Sequence, residues 1–345
     1  MTSANHLELD NARLASYLEQ HIDGFKGPIS SEKFADGQSN PTYLIKSSNA
    51  RYVLRRQPPG ELLKSAHAVD REYRVISALG KTAVPVAKTY HLCLDATVIG
   101  NIFYVMEFID AQVFWDPSLA TLDNHQRRAV YHEMNRVLAA LHSVDIDAVQ
   151  LSDYGRPSNY FERQVARWTR QYRAAETEVI PEMEALIDWL PQNLPEDDGR
   201  VAIAHGDFRL DNMMFDKESL QVVALLDWEL STLGHPFADL AYQCMQLRMP
   251  HGGLLSGLGG LDRAALGIPS EEEYVAEYCQ RMNISHIPHW NYYLAFSFFR
   301  LASILQGVKK RAIEGNSSNK NAHQMGEQIK PLVQLAVSLL DEPQQ

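Results

Sequence analysis

Three side chains in the stretch from Val201 to Asp239 have the types and spacing for chemistry on a charged oxygen substrate. Asp207 and Asn212 share one short turn, His205-Gly206-Asp207-Phe208-Arg209-Leu210-Asp211-Asn212, and Asp227 stands at the end of the apolar run Val222–Leu226. That run, the earlier Val201/Ile203 run and Met213-Met214-Phe215 are each short and bounded by turn formers, a pattern that predicts a small hairpin rather than a helix. A carboxylate and a carboxamide on one loop, with a second carboxylate from a strand end, suit phosphoryl transfer from a nucleotide. That reaction asks little covalent work of a protein. It needs a carboxylate to accept a hydroxyl proton, and hard oxygen ligands that hold magnesium against phosphates. The competing reading, a solvated turn whose aspartates cap nearby backbone groups, does not account for four polar residues in this order.

The order His-x-Asp-x-x-x-x-Asn, followed by a strand-end Asp, is that of a protein kinase, with Asp207 as the base and Asn212 and Asp227 as metal ligands. HGDFRLDN, then LLDWE, then GHPFADLAY resembles the aminoglycoside phosphotransferase family, and in particular the kinase-like domains fused to some acyl-CoA dehydrogenases. The resemblance implies an α+β, two-lobed protein-kinase-like fold. A small antiparallel-sheet lobe over residues 1–109 would bind the nucleotide, and a larger, mostly helical lobe over residues 110–345 would carry catalysis and acceptor binding. It also implies ATP or GTP as co-substrate, with Mg2+.

Further site residues follow from that resemblance. Gly37, Ser39 and Asn40 lie in FADGQSNPTYLIK, where a loop would cover the nucleotide phosphates with backbone N–H groups. Arg55 in the β-type run Arg51–Arg56 takes the place of the strand lysine of many relatives. Arginine is always charged and grips phosphate in a forked geometry. Strand alternation puts Arg56 on the opposite face, where a solvated position is the plain expectation. Glu72, on a helix over Ala66–Leu79, is the expected ion-pair partner of Arg55. The backbone from Glu107 to Ile109, at the lobe boundary, would read the edge of the base. Arg209, two residues after Asp207, would stabilise charge on the transferred group. Asp239 would tie the catalytic loop down by hydrogen bonds.

The totals set outer bounds. At 345 residues, 45% hydrophobic and 22% charged, the chain is an ordinary globular sequence with ample core. A net charge of −11, from 43 acids against 32 bases, argues against nucleic acid as a partner, since phosphate backbones demand a basic face. A small hydroxylated molecule fits better. Cys93, Cys244 and Cys279 share no short spacing and leave one unpaired, which fits a reducing compartment. No secretory signal is visible at the N-terminus. The most apolar long stretch, Tyr292–Leu305, is 14 residues and contains Arg300, too short to span a bilayer. No membrane association and a cytoplasmic location are the expectations.

Elsewhere the pattern is structural. Leu7, Leu14, Leu18 and Ile22 make one helical stripe; Val130, Met134, Val137, Leu138 and Leu141 make another over Asp123–His142. Ser270 with Glu273 is a capping-box signal. Trp290–Val308 reads as a core or dimer helix, which leaves a homodimer open. The glycine-rich stretch Met249–Pro269 contains neither a dinucleotide fingerprint nor a hydrolase elbow, and is a candidate flap over the acceptor. For the acceptor, a hydroxy acid or hydroxyacyl coenzyme A thioester stands first, with an aminoglycoside or another amino-alcohol or sugar as the alternative. A reading of another class is a catalytically inactive nucleotide-binding module acting through partners.

Overall fold

The computed structural model describes residues 8–34, 40–58, 68–315 and 321–340. The chain divides into two compact units: residues 1–112 with 214–217 and 223–229, and residues 113–213 with 218–222 and 230–345.

The first unit is built on a five-stranded antiparallel sheet, in the order β1-β2-β3-β5-β4 among the described residues. Its strands are β1 (Ser30–Lys33), β2 (Thr42–Lys46), β3 (Arg51–Arg56), β4 (Thr89–Cys93) and β5 (Phe103–Glu107). The predicted stripe on α1 (Asn11–His21) buries Leu14 and Leu18, with Ile22 beyond it, against Tyr43, Ile45, Tyr52, Leu54, Phe103 and Val105. Leu7 lies outside the described residues. The helix starts where the Asp10 carboxylate accepts the Arg13 N–H at 3.0 Å, a standard N-cap bond. The second helix, α2, runs from Val69 to Leu79, with Ala68 as its cap; Ala66 and His67 of the predicted span lie outside the described residues. Strand β3 buries Tyr52, Val53 and Leu54 in succession, because it sits mid-sheet with both faces covered.

The second unit is mostly helical. α3 (Asn124–His142) opens with a full capping box between Asp123 and Gln126. α4 (Tyr160–Ala175) and α5 (Pro181–Gln192) follow, then strand β6 (Ala202–Ala204). β7 (Met213–Phe215) and β8 (Val222–Leu225), which fall mostly within the first unit, pair as the predicted hairpin. The apolar run before the turn does not join them. β6 pairs instead with β9 (Thr232–Gly234), antiparallel, with Ile203 opposite Leu233. Three-residue strands leave too little pattern for alternation to register, which is why β9 is invisible in the sequence.

α6 (Phe237–Arg248), α7 (Glu271–Met282), α8 (Trp290–Ile313), α9 (Ala322–Glu327) and α10 (Ile329–Ser338) complete the unit. The Ser270/Glu273 capping box of α7 is present in full. α8 is the centre of the packing, contacting α4, α5, α6, α9 and α10. It is buried on every side from Trp290 to Ala302. Of the two sequence readings for this helix, core or dimer face, the core one describes it. Among the described residues no helix is long and apolar enough to cross a membrane, and all three cysteines are free and buried.

Candidate active site

In the second unit, β6 delivers the chain into the Asp207 loop and β9 runs alongside it. The loop needs a glycine at its first bend. Gly206 has φ +82°, and a Cβ there would lie 2.7 Å from the Leu230 carbonyl oxygen. Gly206→Ala therefore combines a left-handed backbone with a backbone clash. It is expected to cost about 2 kcal/mol or more, read as a fall in the urea midpoint; an unchanged midpoint would refute the account. Beyond the bend, burial alternates. Phe208, Leu210 and Asn212 are buried, while Asp207, Arg209 and Asp211 are half-exposed. The apolar residues thus pin the loop to the core and leave the charged ones facing out.

Asn212, at the end of a 3₁₀ turn over Leu210–Asn212, donates through Nδ2 to both the Asp207 carbonyl oxygen and its Oδ2, each at 2.9 Å. The five-residue spacing thus closes into a ring that fixes the Asp207 rotamer. Because the amide nitrogen makes both contacts, the Asn212 Oδ1 is the atom offered elsewhere. Arg209 lies along the same row: its Nε is 3.4 Å from Asp207 Oδ2 and its Nη2 is 3.0 Å from Asp211 Oδ2.

A buried network holds this loop from below. Asp239, the third residue of α6, accepts the His205 N–H at Oδ2 (2.6 Å) and the Gly206 N–H at Oδ1 (2.9 Å), and His142 Nε2 lies 3.5 Å from Oδ2. Burial alone would raise the Asp239 carboxyl. The hydrogen bond and charge of His142, the charge of His205 and the Gly206 N–H outweigh it, and hold the group below its ordinary value of 3.8. From α8, the Arg300 Nη2 donates to the Gly206 carbonyl oxygen. Its guanidinium lies 5.5 Å from the Trp168 ring centroid and 5.1 Å from that of Tyr242. Neither His142 nor Arg300 is marked by a motif, and Tyr242 closes the GHPFADLAY stretch without a role read for it from sequence. The one signal was Arg300, a lone charge in an otherwise apolar run.

The first unit carries a second cluster. Arg55 of β3 points to α2, where its Nε is 2.8 Å from Glu72 Oε2, and its Nη2 donates to Asp227 Oδ1 at 3.2 Å. Glu72 is 2% exposed. It also accepts from Asn40 Nδ2 at 2.8 Å and from the Tyr104 hydroxyl at 3.2 Å. Burial lifts the Glu72 carboxyl, with the charge and hydrogen bonds of Arg55 and Tyr104 opposing. For Arg55, burial works against the charge, but Glu72, Tyr104 and Asp227 more than restore it, so the guanidinium stays ionised. Asp227 has φ +61°, a left-handed backbone that aspartate tolerates better than most residues. Next to it, Trp228 is anchored by its indole N–H to the Leu225 carbonyl at 2.9 Å.

Several expectations are altered in detail. The Asn40 side chain is fully buried on Glu72, so it serves the Arg55 cluster rather than lying open in a phosphate loop. Gly37 and Ser39 lie outside the described residues. The Glu107 N–H is taken by the Lys88 carbonyl at 2.8 Å, so a base-reading donor has to come from beyond it, toward Ile109. Arg56 is on the face opposite Arg55, but it is not solvated: at 3% exposure it donates to the Ile99 carbonyl at 3.1 Å and lies 5.7 Å from the Tyr43 ring centroid.

A sequence profile described as the phosphotransferase enzyme family matches residues 30–275. The chain belongs to that family. This phosphotransferase is 47% identical over 325 residues to acyl-CoA dehydrogenase family member 10 of Mus musculus, covering 92% of the chain and 30% of that protein. It is 40% identical over 337 residues to acyl-CoA dehydrogenase family member 11 of Homo sapiens, covering 96% and 43%. The chain thus spans less than half the length of these relatives. Among solved structures, it is similar to one from Ralstonia eutropha described as a candidate aminoglycoside phosphotransferase. That likeness has 48% identity and a TM-score of 0.90, over 96% of this chain and 98% of the other. A spectinomycin phosphotransferase in complex with ADP and spectinomycin gives 0.62 at 13% identity, over 95% and 98%, a likeness of fold alone. The phosphotransferase is an α+β, kinase-like enzyme: a small-molecule kinase with an alcohol group as acceptor.

Proposed function

We propose that this phosphotransferase moves the γ-phosphate of ATP or GTP to the hydroxyl of a hydroxy acid or its coenzyme A thioester, a 4-hydroxyacyl group being representative. The observation that carries the acceptor class is the 47% identity, over 92% of the chain, to a relative named for acyl-CoA chemistry. The nucleotide-binding lobe extends to about Ile109 and the catalytic lobe follows. Asp207, its rotamer held by Asn212, accepts the hydroxyl proton as the oxygen attacks phosphorus. Arg209 turns its guanidinium to the transferred group. Arg55, oriented by Glu72, holds the nucleotide phosphates.

The donor atoms suit magnesium: the amide oxygen of Asn212 and the carboxylate of Asp227 are hard oxygens. Among the described residues no set of three or more His, Cys, Asp or Glu side chains gathers as a self-sufficient metal site. Magnesium commonly takes only one or two protein carboxylates and completes its shell with phosphates and water. When bound, it would neutralise charge on the phosphate oxygens.

A transfer assay decides the acceptor. With MgATP and MgGTP offered in parallel, the expected result is phosphate transfer to short 4-hydroxy acids or their coenzyme A thioesters, at least tenfold faster, roughly, than to any aminoglycoside. A panel in which aminoglycosides win would favour the second reading, which the Ralstonia likeness supports. A thermal shift with MgATP but no transfer anywhere on the panel would leave a nucleotide-binding module.

A further inference from the structure

We propose that Arg163, Arg167 and Arg170 of α4 form the subsite for the phosphates of a coenzyme A thioester, an assignment that rests on the acceptor class given above. Residues at i, i+4 and i+7 fall on one helix face. The three arginines therefore stand in a row about 10 Å long, at 1.5 Å of rise per residue. Glu162 is the one acid within α4, and as the residue before Arg163 it points more than a quarter turn away from the row. Acids outnumber bases 43 to 32 in this chain, and other helix arginines of the same unit find them. Arg173, on the next turn, pairs with Glu184 and Glu176, Arg248 with Glu271 and Arg281 with Glu277. No described carboxylate pairs with Arg163, Arg167 or Arg170. Asp197 feels the Arg163 charge, but its two oxygens take the Asn159 and Gly199 N–H groups at 2.7 and 3.1 Å. In a protein of net charge −11, an unneutralised cationic row is a place where a polyanion can be held against the overall field.

Donors are left over along the same edge. Arg163 Nη2 donates to the Arg156 carbonyl, while its Nη1 is buried without a partner. Trp168 borders the row; it is 7% exposed, and its indole N–H is buried and unbonded. The Arg167 guanidinium lies over that indole, 5.3 Å from the ring centroid. Contact with an aromatic face steadies a guanidinium and leaves its in-plane N–H groups for a ligand. Trp168 also ties the row to the catalytic loop. Arg300 stands 5.5 Å from the same ring and donates to the carbonyl of Gly206, the residue before Asp207. A ligand anchored on the row by its phosphates is thus separated by one indole from the residues that shape that bend, with its long pantetheine arm free to run toward Asp207. Coenzyme A carries a diphosphate and a ribose phosphate, anions that forked guanidinium groups match well. A free hydroxy acid or an aminoglycoside has no such polyanion, so the row selects the thioester.

Arg167 and Arg170 are exposed, so replacing them leaves the packing of α4 in place. Calorimetric titration of the full chain with free coenzyme A tests the row directly. The wild type is expected to bind coenzyme A, and the double variant Arg167→Gln/Arg170→Gln to bind it at least tenfold more weakly, roughly, with an unchanged thermal midpoint. Arg173→Gln removes the same charge from the next turn, outside the row, and should weaken binding less than about threefold. A loss there equal to that of Arg170→Gln would reduce the effect to net charge and overturn the subsite. Inorganic pyrophosphate bound as tightly as coenzyme A would mean a general polyanion surface and overturn it too. So would a wild type that does not bind coenzyme A, or a double variant that binds it undiminished. Because this readout needs no turnover, it separates the subsite from the reaction. Transfer to free 4-hydroxy acids without coenzyme A binding removes the subsite and keeps the reaction. Row-dependent coenzyme A binding without transfer to any hydroxylated acceptor keeps the subsite and removes the reaction.

Discussion

Asp207→Asn is expected to lower kcat at least 100-fold, roughly, while binding MgATP within about threefold of the wild type. The substitution is nearly isosteric, and the carboxamide oxygen can still accept from Asn212 Nδ2, now 2.9 Å from both Asp207 oxygens that matter. What is lost is the ability to take a proton. A loose, metaphosphate-like transition state places little demand on a base early in the reaction, so positioning and charge stabilisation survive the change. The size of the loss thus measures the base term alone, commonly two to four orders of magnitude. Because the proton moves only as the acceptor attacks, kcat and kcat/KM should fall together. Single-turnover transfer to the best acceptor of the panel, with calorimetric MgATP binding, checks both halves. A rate within tenfold of wild type would remove Asp207 from the base role.

The largest stability effect is expected at Asp239. Asp239→Ala leaves the His205 and Gly206 N–H groups and the His142 ring without their carboxylate, all in a fully buried site. Each orphaned buried donor costs about 1–3 kcal/mol, and removing one member of a buried charged network about 3–5 kcal/mol, so a loss of roughly 4 kcal/mol is expected. Asp239→Asn retains an acceptor and should lose less. The sign of the pH dependence follows from the depressed Asp239 carboxyl. An acid whose value is lower in the folded state stabilises the fold fully above its unfolded value, near 3.8. That stabilisation is lost as pH falls through the lower folded value. Denaturant midpoints against pH should therefore drop on the acid side more steeply for wild type than for Asp239→Asn. Parallel curves would mean the carboxylate contributes no charge-dependent stability.

The chemistry-bearing residues were legible because they are close in sequence and of unusual type. Asp207, Asn212 and Asp227 stand at turn and strand ends, where a short polar constellation is hard to read as packing. The sheet unit and the long helices were legible for the opposite reason, a repeated apolar period over ten residues or more. What stayed hidden has one physical cause: the partners are distant in sequence and ordinary in type. His142 and Arg300 belong to helices whose faces otherwise read as core. Asn40 is a turn former by composition, and only its burial against Glu72 shows that its amide is spent within the sheet unit. Arg56 follows strand alternation correctly, yet an edge loop carrying Ile99 covers the face that alternation alone would leave to water.

The Arg300 contact has a consequence for synthesis. The loop from His205 to Asn212 is complete on the nascent polypeptide at Asn212, yet the guanidinium that grips the Gly206 carbonyl is added 94 residues after that glycine. Closing so long a chain segment is slow compared with local helix formation. A ribosome that has made the loop has therefore made its letters and not yet its shape. The bend before Asp207 gains its Arg300 contact only once α8 has been made and packed, so the loop's final shape waits on late completion of the core.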